Sequence, residues 1–157
     1  MSDEDHDVPD LRTLADYQFG AGAGTALFPA SDDLEVRRTS SGRPQQVIAD
    51  EGRLVSHGVD GRFTLGLAGG HRLHDALDHP TARVVVGDDS EPFVREGKNV
   101  FAKFVRDVDP AVRPGDEVCV VHHDGHLLAV GRAELDAGSM LDFGSGMAVF
   151  VRTGASD

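Results

Sequence analysis

The sequence predicts an α+β N-terminal subdomain followed by a mainly β pseudo-barrel. Three observations carry this. A helix-compatible stretch near the start is interrupted by glycines, so it reads as short helical pieces. Between residues 34 and 66, short apolar segments are separated by glycine-bearing turns, which is hairpin patterning. From residue 83 onward, several short strand-like segments recur at regular turn spacing with little helix between them, and such a series closes most readily into a compact barrel.

The elements follow in order. Residues 1–10 are acidic and polar and are expected to form a disordered tail. Residues 13–29 should form two helical pieces broken at Gly20, Gly22 and Gly24. Strands at 34–39 and 45–50 flank Ser40-Ser41-Gly42-Arg43, and strands at 53–57 and 62–66 flank Gly58-Val59-Asp60-Gly61. A helix over 68–77 would place Leu73, Ala76 and Leu77 at core spacing and end before His79-Pro80. The second unit opens with the strand 83–86. Ser90 should cap a short helix over 91–96, with Pro92 in its first turn and Gly97 stopping it. A strand over 100–105 follows. Strands 117–121 and 127–133 then pair across His123-Asp124-Gly125-His126, and a short helix or turn at 137–143 precedes the last strand, 147–152. The expected domains are therefore 11–80 and 81–154.

Composition narrows the function classes. The 157 residues, 39% of them hydrophobic, suffice for one domain or two small ones. The start lacks the basic and apolar regions of a signal peptide, and no apolar run approaches the ~20 residues that span a bilayer. A soluble cytoplasmic protein without membrane contact is expected. The one cysteine, Cys119, lies in the apolar run Val118-Cys119-Val120-Val121 and reads as a buried, inert thiol. The net charge of -12 arises in an unusual way, since Lys98 and Lys103 are the only lysines and arginine supplies the other fixed cations. Such chemistry resembles that of a halophilic cytoplasm, where screening shortens charge repulsion to a few Å. In that setting the placement of the cations is more informative than their sum.

Several runs match a known pattern. The most specific is Glu91-Pro92-Phe93-Val94-Arg95-Glu96-Gly97-Lys98-Asn99-Val100-Phe101-Ala102-Lys103-Phe104-Val105, followed by Val112-Arg113-Pro114-Gly115-Asp116-Glu117-Val118 and Leu127-Leu128-Ala129-Val130-Gly131-Arg132-Ala133. In this order they resemble the PUA domain, the module named for pseudouridine synthases and archaeosine transglycosylases. Upstream, Ala15-Asp16-Tyr17-Gln18-Phe19-Gly20, Gly22-Ala23-Gly24, Ala26-Leu27-Phe28-Pro29 and Gly61-Arg62-Phe63-Thr64-Leu65 resemble the small domain preceding PUA in archaeal tRNA-guanine transglycosylases and archaeosine synthases. Those enzymes carry a catalytic barrel and a zinc site, for which a chain of this length with one cysteine has no room. The resemblance implies an RNA-binding protein without enzymatic activity of its own and without a cofactor. It would act as a stand-alone accessory to tRNA modification such as archaeosine formation. Its expected partner is RNA, in particular a tRNA acceptor stem, together with a tRNA-modifying enzyme. The alternative is a protein–protein adaptor or detached subunit, docking through Leu27, Phe28 and their neighbours.

Candidate RNA-binding residues are Arg95, Gly97, Lys98, Asn99, Lys103 and Arg106, with Arg113 and Arg132 as weaker members. Four cations within twelve residues of an acidic chain form the local footprint that phosphates need. Against this, Arg95 and Lys98 could simply complement a helix carboxyl end. No catalytic set is expected, because no nucleophile, base and orienter occur together. Gly20-Ala21-Gly22-Ala23-Gly24-Thr25 lacks the lysine of a P-loop and reads as a helix break or a close-packing point. His71, His74 and His79, and separately His122, His123 and His126, form no full metal-ligand set. His122 and His123 are expected on opposite faces of a strand, so no metal is expected. Asp16 is expected to be a helix cap and Tyr17 a packed anchor.

Overall fold

The computed structural model describes residues 3–30 and 33–155, and the chain divides into two compact units, Met1–Leu77 and Asp78–Asp157. In the first, helices α1 (Asp3–Phe19) and α2 (Ala23–Leu27) precede strands β1 (Glu35–Arg38), β2 (Pro44–Ala49), β3 (Gly52–His57) and β4 (Phe63–Leu65), then helix α3 (Leu67–Ala76). The strands form an antiparallel meander in sequence order, with Val36, Val47, Val55 and Leu65 in register along one row. All four are buried, so the alternation of period two fixes which sheet face meets the helices.

The glycine break lies where expected. Gly20 and Gly22 adopt φ of 108° and 93°, ending α1 and starting α2. Gly24 has a different reason: it rests directly on the Arg12 carbonyl, so any side chain there would separate α2 from α1. Asp16 acts as a cap, but for the next helix. From the last turn of α1 its Oδ1 accepts the Gly24 N–H at 2.7 Å. Gln18 clamps β4, its amide donating to the Phe63 carbonyl and accepting the Phe63 N–H, both at 2.7 Å.

Four expectations for this unit need correction. In place of a disordered tail over residues 1–10, α1 begins at Asp3; residues 1 and 2 lie outside the described residues. That stretch has no apolar periodicity to signal a helix, and among the side chains described, from residue 8 onward, Leu11 is the first buried one. Tyr17 is no packed anchor, being 86% exposed. Ala76 is exposed too; Leu73 is buried as expected, and α3 is otherwise buried through Ala68, Gly69 and Gly70. Gly69 sits against the Leu54 carbonyl, so the helix is seated by its small residues rather than by its last turn. Leu27 and Phe28 are wholly buried, which removes them as a docking surface.

The second unit runs β5 (Arg83–Val86), α4 (Glu91–Arg95), β6 (Val100–Phe101), a 3-10 turn (Ala102–Phe104), β7 (Val105–Val108), β8 (Glu117–His122), β9 (Leu127–Ala133), α5 (Ala137–Asp142) and β10 (Met147–Gly154). Its six strands are ordered β6-β10-β9-β8-β5-β7, with β5 and β8 parallel and the other neighbours antiparallel. The core is rich in valine: Val84, Val86, Val118, Val120 and Val149 are fully buried with Leu128 and Met140. Burying each such side chain is worth roughly 1.5–3 kcal/mol against exposure. Cys119 lies within this sheet at 1% exposure, and burial pushes its thiol pKa up to about 12, so it is inert.

Two local corrections bear on the site. Ser90 occupies the N-cap of α4 but makes no side-chain capping bond. The strand expected over 100–105 is broken after Phe101 by the 3-10 turn before the chain enters β7. Beside that turn, α5 is held by Asp136, whose side chain accepts the Ser139 N–H at 2.7 Å. This bond lowers the Asp136 pKa below its ordinary 3.8. A depressed carboxylate pKa adds stability above the unfolded value and loses it as pH falls through the folded one. The wild type should therefore lose stability below about pH 4 more steeply than Asp136→Asn, since asparagine caps without titrating. Denaturation midpoints measured at neutral pH and across that acid range check this; parallel acid losses in the two proteins would refute it.

Candidate nucleic-acid interface

The site is built by one continuous stretch. Helix α4 is five residues long, with Pro92 in its first turn, and it buries Val94 while leaving Phe93 58% exposed. Gly97 then takes φ of 95°, which a side chain would resist, and reverses the chain so that Lys98 projects outward. On the edge strand β6, Val100 turns inward and Phe101 outward. The 3-10 turn buries Ala102 and exposes both Lys103 and Phe104.

Three adjoining depressions share Phe104. One, of about 230 Å³, lies among Phe93, Phe101, Phe104, Lys98, Asn99 and Ser90. A second, of about 180 Å³, is lined by Gly87, Ser90, Lys103, Phe104 and Arg106. The third, of about 400 Å³, runs between Phe101, Lys103 and Phe104 and the segment Gly144, Ser145 and Gly146. Together they form a groove with an aromatic floor and a basic rim. The Lys103 ammonium lies 5.1 Å from the Phe104 ring centroid, a cation–π distance. A Cβ on Gly87 would come within 2.5 Å of the Arg106 guanidinium, so this glycine makes room for that arginine. Among the described residues, Asp89 is the only carboxylate lining the groove.

The expected binding residues separate on this geometry. Lys98, Lys103 and Arg106 are brought together on the groove, exposed and with no ion-pair partner among the described residues. Asn99 also lines it, but its Oδ1 accepts the Val151 N–H at 2.9 Å and so holds β10. Gly97 shapes the approach without lining it. Arg95 turns away, 3.4 Å from Glu91 and donating to the Ala155 carbonyl at 3.0 Å, which favours its structural reading. Arg113 is exposed in a loop and lines none of the three depressions. Arg132 lies over the Phe150 ring and 3.0 Å from Glu134.

What the sequence reading missed is the aromatic floor. Phe101 and Phe104 fall within the same twelve residues as the cations and Phe93 lies two residues before them, a coincidence available in the sequence. Pattern alone sends aromatic residues to the core, whereas these are 58%, 48% and 38% exposed. An apolar ring under a basic rim suits an unpaired base and its phosphates.

Near the start of α4, His122 is buried with Nε2 2.5 Å from Asp88 and Nδ1 2.9 Å from Asp124. Burial works to lower its pKa, but the carboxylates of Asp88, Asp124 and Glu91 outweigh this and raise it. The expectation that His122 and His123 diverge does not hold. Strand β8 ends at His122, so His123 already belongs to the turn, and the two rings lie 4.1 Å apart.

Residues 9–80 match the family described as the patch-forming domain C2 of tRNA-guanine transglycosylase, and residues 82–155 match the PUA domain. A tRNA-guanine(15) transglycosylase of Pyrococcus furiosus is 45% identical over 148 residues, covering 94% of this chain and 25% of that protein. The chain thus spans about a quarter of the length of the curated relatives it matches. Among solved structures, a hypothetical protein of Pyrococcus horikoshii OT3 aligns with a TM-score of 0.76 at 24% identity, over 97% of this chain and 92% of that one. A conserved PUA domain protein of Thermoplasma acidophilum aligns with a TM-score of 0.67 at 21% identity, over 100% and 93%. These two likenesses are of fold. No helix among the described residues is long and apolar enough to cross a membrane.

Proposed function

From a chain that is a C2 domain of the tRNA-guanine transglycosylase kind joined to a PUA domain, and that resembles the C-terminal region of the archaeal enzymes, we propose an RNA-binding role in tRNA modification. The observation that carries it is the groove of Phe93, Phe101 and Phe104 rimmed by Lys98, Lys103 and Arg106. Its ligand is a stem with a single-stranded end, as at the tRNA acceptor. The cations neutralise backbone phosphates beside the stem, and unpaired bases stack on the rings with little reading of sequence. The protein binds and positions RNA for a modifying enzyme and performs no chemistry itself. The competing adaptor reading loses its nominated surface, because Leu27 and Phe28 belong to the core.

Binding of tRNA, of an acceptor-stem minihelix and of the same minihelix lacking its unpaired 3′ end tests this directly. The intact minihelix should compete with tRNA and the truncated one much less well. Phe104→Ala should weaken the intact ligand by about 5- to 150-fold, the equivalent of one stacked base at roughly 1–3 kcal/mol. It should scarcely affect the truncated ligand. Equal binding of both minihelices, with Phe104→Ala inert, would refute the groove as the reader of the stem end.

A further inference from the structure

Outside the groove, we infer that Asp88, His122 and His123 form a binding site for a divalent transition ion of the Zn²⁺ class. Topology creates the convergence. Strands β5 and β8 are parallel neighbours with Val86 aligned to His122, so the segments that follow them leave the sheet at the same end. The His123 N–H donates to the Val86 carbonyl at 2.9 Å and pins the start of one segment against the other. This places Asp88 beside both imidazoles.

The donor atoms suit such an ion. His122 Nε2 is 2.5 Å from Asp88 Oδ1, and His123 Nε2 is 3.8 Å from the same oxygen. One ligand atom from each of the three lies within 4.8 Å of the others. Ligands around a tetrahedral zinc at bonds of about 2.0–2.1 Å stand roughly 3.3 Å apart. Closing the site therefore needs movements on the order of 1 Å, and they fall on the exposed members. The Asp88 and His123 side chains are 82% and 44% exposed, while that of His122 is 5% exposed. Two imidazoles with one carboxylate select a borderline transition ion over Mg²⁺ or Ca²⁺.

A second observation singles out this cluster. The other nitrogen of His122 is held by Asp124, with Nδ1 to Oδ1 at 2.9 Å. Nδ1 also accepts the Asp124 N–H at 3.1 Å, so Asp124 holds the ring from two sides, and an ion entering between Nε2 and Asp88 replaces the Nε2–H···Oδ1 hydrogen bond. A carboxylate behind a ligating histidine is the usual means of orienting the ring and raising its basicity. An ion here would fasten the segment carrying Asp88 to the hairpin turn at Gly125. Asp89 and Ser90, the next two residues, line the RNA groove. The site itself does not depend on the RNA reading.

The test is a titration of chelator-treated, dialysed protein with Zn²⁺ by calorimetry and with Co²⁺ by visible absorption. One equivalent should bind, with tetrahedral-type Co²⁺ bands and a rise in Tm. Asp88→Asn and His123→Ala, both at exposed positions, should each weaken binding by at least about tenfold. Asp124→Asn should weaken it about 10- to 100-fold through loss of the orienting bond. His71→Ala, in the other unit, should leave it unchanged. Absence of stoichiometric binding by the folded wild type would overturn the inference, as would binding that Asp88→Asn and His123→Ala leave intact.

Discussion

Reversing Lys98 and Lys103 together to glutamate is expected to weaken tRNA binding severely while the protein keeps its fold. Both side chains are exposed and neither has an ion-pair partner among the described residues, so their replacement breaks no ion pair there. The chain as a whole, at a net charge of -12, offers phosphates no general attraction that could replace them. Screening limits the reach of that charge to about 10 Å at 0.1 M salt, so a phosphate in the groove senses mainly the groove's own cations. Removing two phosphate contacts should flatten the slope of log affinity against log salt by about 1.8 for a duplex, or about 1.4 for a single strand. The reversed charges, with Asp89 beside them, then repel what the lysines attracted. Arg132→Glu should do little by comparison, since its guanidinium already lies beside Glu134 and over Phe150. Titration of labelled tRNA at several salt concentrations, with circular dichroism to confirm folding, reads both quantities. An unchanged affinity in the folded double variant would remove these lysines from the interface.

The legible parts of this chain are those where turn chemistry and periodicity agree. Gly42, Gly61 and Gly125 all have positive φ at the hairpin turns that the sequence predicts, and the strands on either side follow from them. The stretch Val100-Phe101-Ala102-Lys103-Phe104-Val105 shows where legibility ends. Its alternation reads as one strand, which would place Lys103 and Phe104 on opposite faces. The 3-10 turn exposes both instead, and that departure from local pattern makes the groove. The histidine cluster is hidden for a related reason. One residue decides whether His123 is in the strand or the turn, and element ends are where pattern is weakest. The cation cluster is visible in the sequence, but sorting Arg95 from Lys98 requires knowing that Ala155 and Glu91 already hold the arginine.

Two motif residues of the first unit, Gln18 and Phe63, have structural roles, and one substitution there should have the largest effect on stability. Gln18 and Phe63 come from two separate motif runs that the structure joins. The Gln18 amide satisfies both backbone groups of Phe63, and the Phe63 ring is 1% exposed. That ring meets Phe28 edge-on with centroids 5.9 Å apart, and its centroid lies 5.3 Å from that of His57. Phe63→Ala deletes the ring from a site that β4 and the Gln18 clamp prevent from collapsing, so a cavity should remain. Such truncations cost about 3–5 kcal/mol, a large share of the roughly 5–15 kcal/mol that holds a domain together. Gln18→Ala should cost about 1–3 kcal/mol, because it strands a donor and an acceptor while leaving the core volume intact. Phe63→Leu, which keeps most of the volume, should fall between wild type and Phe63→Ala. Urea denaturation of the three variants beside the wild type orders them. A loss below about 1.5 kcal/mol for Phe63→Ala would mean that the first unit relaxes around the missing ring. The clamp, rather than the aromatic packing, would then be the reason these two motifs occur together.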